Sequence, residues 1–257
     1  MNTKLSVNIN KVATIRNARG GSLPDVLKFA KDCYRYGAHG ITIHPRPDQR
    51  HITFKDVEDL ADEFPKSDCE YNIEGYPSDA FLKMAIDAKP SQITLVPDPP
   101  HVLTSDSGWN TITHFDFLKD VIQKIQSHQI RVSLFIDTHL DFIENAKKLN
   151  ADRIEFYTGY YAEMFTNAPE KAILEYKKAA TFANEIGIGI NAGHDLSLEN
   201  LHYFKSQIPN LLEVSIGHAL ISDCLYYGLE NTISMYLRKL EVRSTPLKDY
   251  DKANCFL

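Results

Sequence analysis

The chain lacks most of the short motifs from which a function is usually read. No GxGxxG follows its first strand-like segment and no GxxxxGK[ST] occurs anywhere, which weakens dinucleotide and P-loop readings. No HxH or HExxH spacing supports a metal centre. The four cysteines, Cys33, Cys69, Cys224 and Cys255, form neither a CxxC pair nor a Cys/His ligand pattern, so free thiols in a reducing compartment are expected. No run approaches the roughly 20 apolar residues of a membrane helix. The opening MNTKLSVNIN leaves no room for the apolar stretch of a signal peptide. A cytoplasmic protein without membrane contact is therefore expected. Excess positive charge is missing too. A formal net charge of −6 disfavours a nucleic-acid surface. It leaves anionic small substrates open, because clustered Arg, His and backbone N–H groups bind phosphate locally.

What is present is a rhythm of short apolar β-rich runs, polar loops and helical stretches. Strands are expected at 5–9, 40–43, 70–74, 92–96, 131–136, 153–156, 187–190 and 212–216. Helices are expected at 24–37, 54–63, 78–88, 112–127, 139–149, 169–186, 197–204 and 230–242. Pro24-Asp25, Ser78-Asp79 and Ser197 supply start signals, and Gly37 and Gly187 supply stops. Eight βα units in 257 residues favour an α/β fold of the TIM (β/α)₈ type over an open sheet. Residues 1–243 read as one domain and 244–257 as a surface tail, since helical periodicity fades after Arg243.

The expected strands end in chemically capable residues. These are Asn8 and Asn10, His44 and Arg46, Glu74, Asp137, Glu155, Asn191 with His194, and Gly217 with His218; strand 4 runs on toward Thr104. In a TIM barrel these ends converge on one mouth, where activity is found. HPRPDQRHI (44–52) crowds His44, Arg46, Arg50 and His51 into one proline-stiffened loop suited to anion binding and proton exchange. NAGH (191–194) and SIGHA (215–219) place Gly-His after the last two strands, where this fold commonly holds phosphate. Glu74 closes an apolar strand and is suited to general base work, and Glu155 is a second carboxylate at an equivalent place. Arg16 and Arg19 ahead of Gly20-Gly21 suit an anion-wrapping loop or a simple turn. Residues 95–109, with three prolines, suit a lid or a substrate-facing loop.

Taken in order, NINKVATIRNARGG, GITIHPRPDQRHI, YNIEGYP, QITLVPDPP, LTSDSGW, VSLFID, IEFYTGYYA, INAGHDLS and SIGHALI resemble the pyridoxine 5′-phosphate synthase family over about residues 5–240. The resemblance implies a TIM barrel with additional helices, assembled as a homo-octamer and needing no metal or organic cofactor. It implies a transferase-class reaction of vitamin B6 biosynthesis. In it, 1-deoxy-D-xylulose 5-phosphate and 3-amino-2-oxopropyl phosphate give pyridoxine 5′-phosphate, phosphate and water. By motif, His44, Glu74 and His194 match the acid/base residues and Glu155 a transition-state-stabilising glutamate. Asn8, Arg19, Gly217 and His218 match positions holding the amino-ketone phosphate. Arg46, His51 and Thr104 match positions holding deoxyxylulose phosphate. The chain departs from the common pattern at Asn10-Lys11 (often Asp-His), Tyr157 (often His) and Asp195 (often Gly). Asn10 and Lys11 keep a polar and a cationic contact, while Asp195 sets a carboxylate beside an expected phosphate. Two other readings stand beside this one. His44, Glu74, Glu155 and His194 could chelate a divalent ion in a metal-dependent sugar-phosphate isomerase or lyase, or the barrel could bind phosphometabolites without catalysis.

Overall fold

The computed structural model describes residues 2–98 and 107–241. Eight parallel strands close into a barrel in chain order: β1 (Lys4–Asn8), β2 (Gly40–Ile43), β3 (Glu70–Gly75), β4 (Gln92–Leu95), β5 (Arg131–Ile136), β6 (Arg153–Tyr157), β7 (Gly189–His194) and β8 (Leu211–Ile216). The ring shuts where β1 pairs β8, Leu5 opposite Val214.

Each strand reads polar and apolar by turns, and alternation sends the two sets to opposite faces. Leu5, Val7, Ile41, Ile43, Ile73, Ile93, Val132, Leu134, Ile154, Val214 and Ile216 are fully buried and belong to the hydrophobic core under the helices. The other parity fills the barrel lumen with polar groups that bond to one another. Ser6 and Thr42 share a hydroxyl contact of 2.7 Å, Asn72 Nδ2 donates to Thr42 Oγ1 (3.3 Å), and Thr94 Oγ1 donates to Asn72 Oδ1 (3.1 Å). Lower down, Arg131 donates to Gln92 Oε1 (2.8 Å) and Glu70 Oε2 (2.6 Å), and Arg153 donates to Asn191 Oδ1 (3.2 Å). Buried polar groups are tolerable when paired in this way.

The eight expected helices are present as α2 (Val26–Arg35), α3 (Phe54–Glu63), α4 (Asp79–Asp87), α5 (Phe115–Gln126), α6 (Leu140–Lys148), α8 (Pro169–Glu185), α9 (Leu201–Gln207) and α11 (Leu229–Leu240). Asp25 and Ser78 cap α2 and α4 by accepting from Lys28 N (2.8 Å) and Phe81 N (3.3 Å). Gly37 and Gly187 have φ of 102° and 71°, as helix stops require. Ser197 is not a helix cap. It accepts from Glu199 N in a turn, and α9 starts at Leu201.

Three further helices are α1 (Asn10–Arg19), α7 (Gly159–Phe165) and α10 (His218–Tyr227). α1 replaces the expected loop after β1. It buries only Val12 and Ala13, so its sequence carries little amphipathic signal. Gly20, at φ 70°, is its left-handed C-cap, so the Gly pair ends a helix rather than wrapping an anion. Arg16 forms a two-pronged pair with the buried Asp56 and also donates to the His51 carbonyl (3.3 Å). The tail from 244 and Thr104 lie outside the described residues.

Burial opposes ionisation of Glu70, but Lys4 and Arg131 outweigh it and hold the carboxyl at about 2. A carboxyl held below its unfolded value contributes stability that is present above about pH 4.3 and lost as pH falls through the folded value. Arg131→Met leaves Glu70 and Gln92 short of a partner. It should cost about 3 kcal/mol in urea unfolding at pH 7, a gap that narrows toward pH 3. A loss below about 0.5 kcal/mol, typical of a surface change, would contradict this reading.

Candidate active site

The C-terminal ends of the strands surround a cavity of about 750 Å³. Its wall includes Asn8, Asn10, Lys11, His44, Arg46, His51, Glu74, Glu155, His194, Asp195, Gly217 and His218. Of the expected site residues within the described part of the chain, one is not in this wall. Arg19 sits exposed on the last turn of α1, and Thr104 is outside the described residues. The wall also contains Thr14, Val96, Phe135 and Ser215, which the motif reading did not single out. Phe135 and Ser215 follow from strand parity, two residues beyond the lumen-facing Ser133 and Glu213.

Strand parity also places the carboxylates. Glu74 continues the lumen-facing row of Glu70 and Asn72 on β3, one step nearer the mouth. Its Oε2 accepts from Asn8 Nδ2 (3.3 Å) and lies 4.0 Å from His44 Nδ1. Burial pushes its carboxyl up to about 7, although the charges of His194 and Arg46 work the other way. Glu155, on β6, is 3% exposed. Burial, then the nearby charge of Glu74, holds its carboxyl well above the usual carboxylate range. Room for it comes from Gly193, where a Cβ would fall 2.5 Å from Glu155 Oε1. NAGH is therefore strand rather than turn: β7 continues to His194, paired opposite Ile216 of β8. Asn191, within that run, faces the lumen and bonds Arg153 and Glu213 instead of lining the cavity.

The 44–52 loop forms one cationic wall. Asn10 Oδ1 accepts from His44 N (2.9 Å), tying the start of α1 to the end of β2. Burial, then Arg46, His51 and Arg50, pushes the His44 imidazole well below its ordinary range and keeps it neutral at pH 7. His51 is pushed down to about 4, by burial and then by Arg46 and Lys11. Its Nδ1 accepts from Ile52 N (2.9 Å), leaving Nε2 as the proton-bearing atom. Asn17 Nδ2 holds the loop through the His51 carbonyl (2.8 Å). Arg46 is 5% exposed and lies 3.7 Å from Asp98, while Arg50 pairs with the outer Asp48 (2.7 Å).

Across the mouth, Gly217 precedes α10 and packs against Asn8, where a Cβ would come within 3.1 Å. The first intrahelical donor of α10 is Ile221 N, to Gly217 O. The amides of His218, Ala219 and Leu220 thus form an open helix start beside the cavity. Asp195 does not point its carboxylate there unpaired: Oδ2 lies 2.7 Å from His194 Nδ1. Its own N–H donates to Thr158 Oγ1 (3.3 Å). Among the described residues, no three His, Cys, Asp or Glu side chains converge as metal ligands do.

A carboxyl raised in the folded state contributes stability that is complete below its unfolded value and lost as pH rises through the folded one. For Glu74 that window runs from about 4.3 to about 7. Glu74→Gln should therefore unfold at higher urea than the parent at pH 8, by on the order of 1–3 kcal/mol, and match it at pH 4. Equal stability at both pH values would remove the claim that Glu74 is buried at a cost.

The family described as Pyridoxal phosphate biosynthesis protein PdxJ matches residues 5–242. A "Pyridoxine 5′-phosphate synthase" of Flavobacterium johnsoniae is 55% identical over 93% of the chain and 100% of the relative. One of Cytophaga hutchinsonii is 56% identical over 93% and 99%. In fold alone the chain is similar to 3-keto-L-gulonate-6-phosphate decarboxylase from Vibrio cholerae (TM-score 0.66, 10% identity, 93% and 98% covered). The same holds for phosphoribosylanthranilate isomerase from Thermotoga maritima (TM-score 0.56, 13% identity, 93% and 98% covered). The motifs, the closed barrel and a match over nearly the whole length agree, and the chain belongs to the PdxJ family of pyridoxal phosphate biosynthesis proteins.

Proposed function

We propose that the chain condenses 1-deoxy-D-xylulose 5-phosphate with 3-amino-2-oxopropyl phosphate to pyridoxine 5′-phosphate, releasing phosphate and water. One observation carries the reading. A single cavity holds a carboxyl near neutrality, a second held well above the usual carboxylate range, and two histidines, between a cationic wall and an open helix start. Relatives more than half identical bear the name of that activity.

The reaction joins an amine to a ketone, expels phosphate, loses water and closes a ring. Every one of these steps moves a proton. His44, kept neutral, can accept one at pH 7. Glu74, at about 7, can both accept and donate as the intermediate changes. His194 completes the set from the opposite side of the barrel. Glu155, protonated by its surroundings, serves as a hydrogen-bond donor to developing negative charge.

The phosphate of the amino ketone belongs at Gly217 and His218 on the amides of α10, with Asn8 below. The phosphate of deoxyxylulose phosphate belongs on Arg46 and His51, with Asn10 and Lys11 beside it and Thr104 carried over by motif. Arg19 stays outside this arrangement because it is exposed at the far end of α1. Neither metal nor organic cofactor is needed, and the family resemblance extends to a cytoplasmic homo-octamer. Exposed Leu23, Leu225 and Tyr226 supply apolar surface for such an assembly to cover.

Purified chain given both substrates, after exhaustive chelation, should form pyridoxine 5′-phosphate, identified by mass and absorbance. Glu74→Gln should cut kcat on the order of 10²–10⁴-fold while still binding each substrate by calorimetry. No product from folded protein would end the synthase reading, and dependence on added metal would favour the isomerase or lyase reading.

A further inference from the structure

His194 is the last residue of β7 and holds φ at 94°, a region that non-glycine residues rarely adopt. Such a backbone costs on the order of 1–3 kcal/mol and persists only where neighbours fix it. Here they are buried side chains. Thr158 Oγ1 donates to Gly193 O (2.6 Å) on one side of His194 and accepts Asp195 N (3.3 Å) on the other. Asn200 Nδ2 donates to Asp195 O (3.2 Å). The backbone is thus clamped so that consecutive side chains meet: His194 Nδ1 lies 2.7 Å from Asp195 Oδ2. The Tyr157 ring stands edge-on to the imidazole at 5.2 Å and 78°. Of the two ring nitrogens, only Nε2 is left for a molecule in the cavity.

We propose that Asp195 is a positioning residue for His194, accepting the Nδ1 proton so that Nε2 is the atom that exchanges a proton with substrate, while Tyr157 limits rotation of the ring. The inference rests on the acid/base reading of His194. It gives the Asp195 carboxylate, which would repel a phosphate if unpaired, a partner within its own chain. The hydrogen bond to His194 also holds the Asp195 carboxyl below the usual range, against burial. The other titratable groups around this pair are Glu74 from β3, Tyr157 from β6 and His218 from α10.

The test combines spectroscopy on the resting protein with kinetics. Long-range ¹H–¹⁵N correlation of histidine-labelled full chain reports which nitrogen of His194 bears the proton, with His194→Gln assigning the signal. The wild type should show protonated Nδ1. Asp195→Gly should shift the signal toward the Nε2–H form. Its kcat should fall on the order of 10-fold or more, with KM for both substrates within about threefold of the parent. A wild-type His194 protonated on Nε2 alone, or an unchanged kcat in Asp195→Gly, would overturn the proposal. So would a raised KM at constant kcat, which would place Asp195 on the substrate instead. The tautomer measurement needs no substrate, so absence of synthase turnover would sink the functional reading and leave this one to be judged by the spectrum.

Discussion

A carboxyl group that must be buried yet reachable organises this protein. Glu74 lines the cavity, 12% exposed, with Asn8 Nδ2 at 3.3 Å and His44 Nδ1 at 4.0 Å from its carboxylate. Its proton affinity near neutrality comes chiefly from burial, so the cavity has to be deep and the strands around it tightly paired. The polar lumen beneath it meets that demand. Ser6, Thr42, Asn72 and Thr94 bond to one another directly under the cavity, and the Glu70–Arg131 pair lies beyond them. Depth is thereby obtained with most of the lumen's polar groups paired; Ser133 Oγ and Glu213 Oε2 are buried without a hydrogen-bond partner.

Two carboxyls near each other cannot both ionise cheaply, and Glu74 is part of what raises the Glu155 carboxyl well above the usual carboxylate range. In the proposed reaction the two glutamates accordingly take different roles, one exchanging protons and one donating a hydrogen bond. The histidines are divided in a similar way. His44 is kept neutral by burial and by the cations of its own loop, whereas His194 has a carboxylate at Nδ1. In the proposed reaction, anion binding stays apart from this centre, on Arg46 and His51 at one side and the α10 amides at the other.

Much of this was legible in the sequence because strands and site share one signal. Runs such as EYNIE and RIEFY state both the strand and the direction of its carboxylate, by period-two alternation. The same alternation turns Phe135 and Ser215 into the cavity, two positions that attention to strand-end motifs passed over. The added helices were hard to read for physical reasons. α1 buries only two residues, α7 has seven residues, and α10 starts directly after β8 with no side-chain cap. Arg16 and Arg19 looked alike in sequence. Only the turn of α1 decides that Arg16 meets Asp56 and Arg19 faces outward. The pairing of Asp195 with His194 depends on a positive φ that no local residue preference signals.

The proposed chemistry depends most directly on the ionisation of Glu74. Infrared difference titration of the resting protein, with Glu74→Gln as the subtraction, isolates the protonated carboxyl band of that one residue. The band should be present at pH 5 and lost with a midpoint of about 7. A midpoint near the ordinary glutamate value of about 4.3 would contradict this, because Glu74 would then be a fully ionised carboxylate throughout the working range.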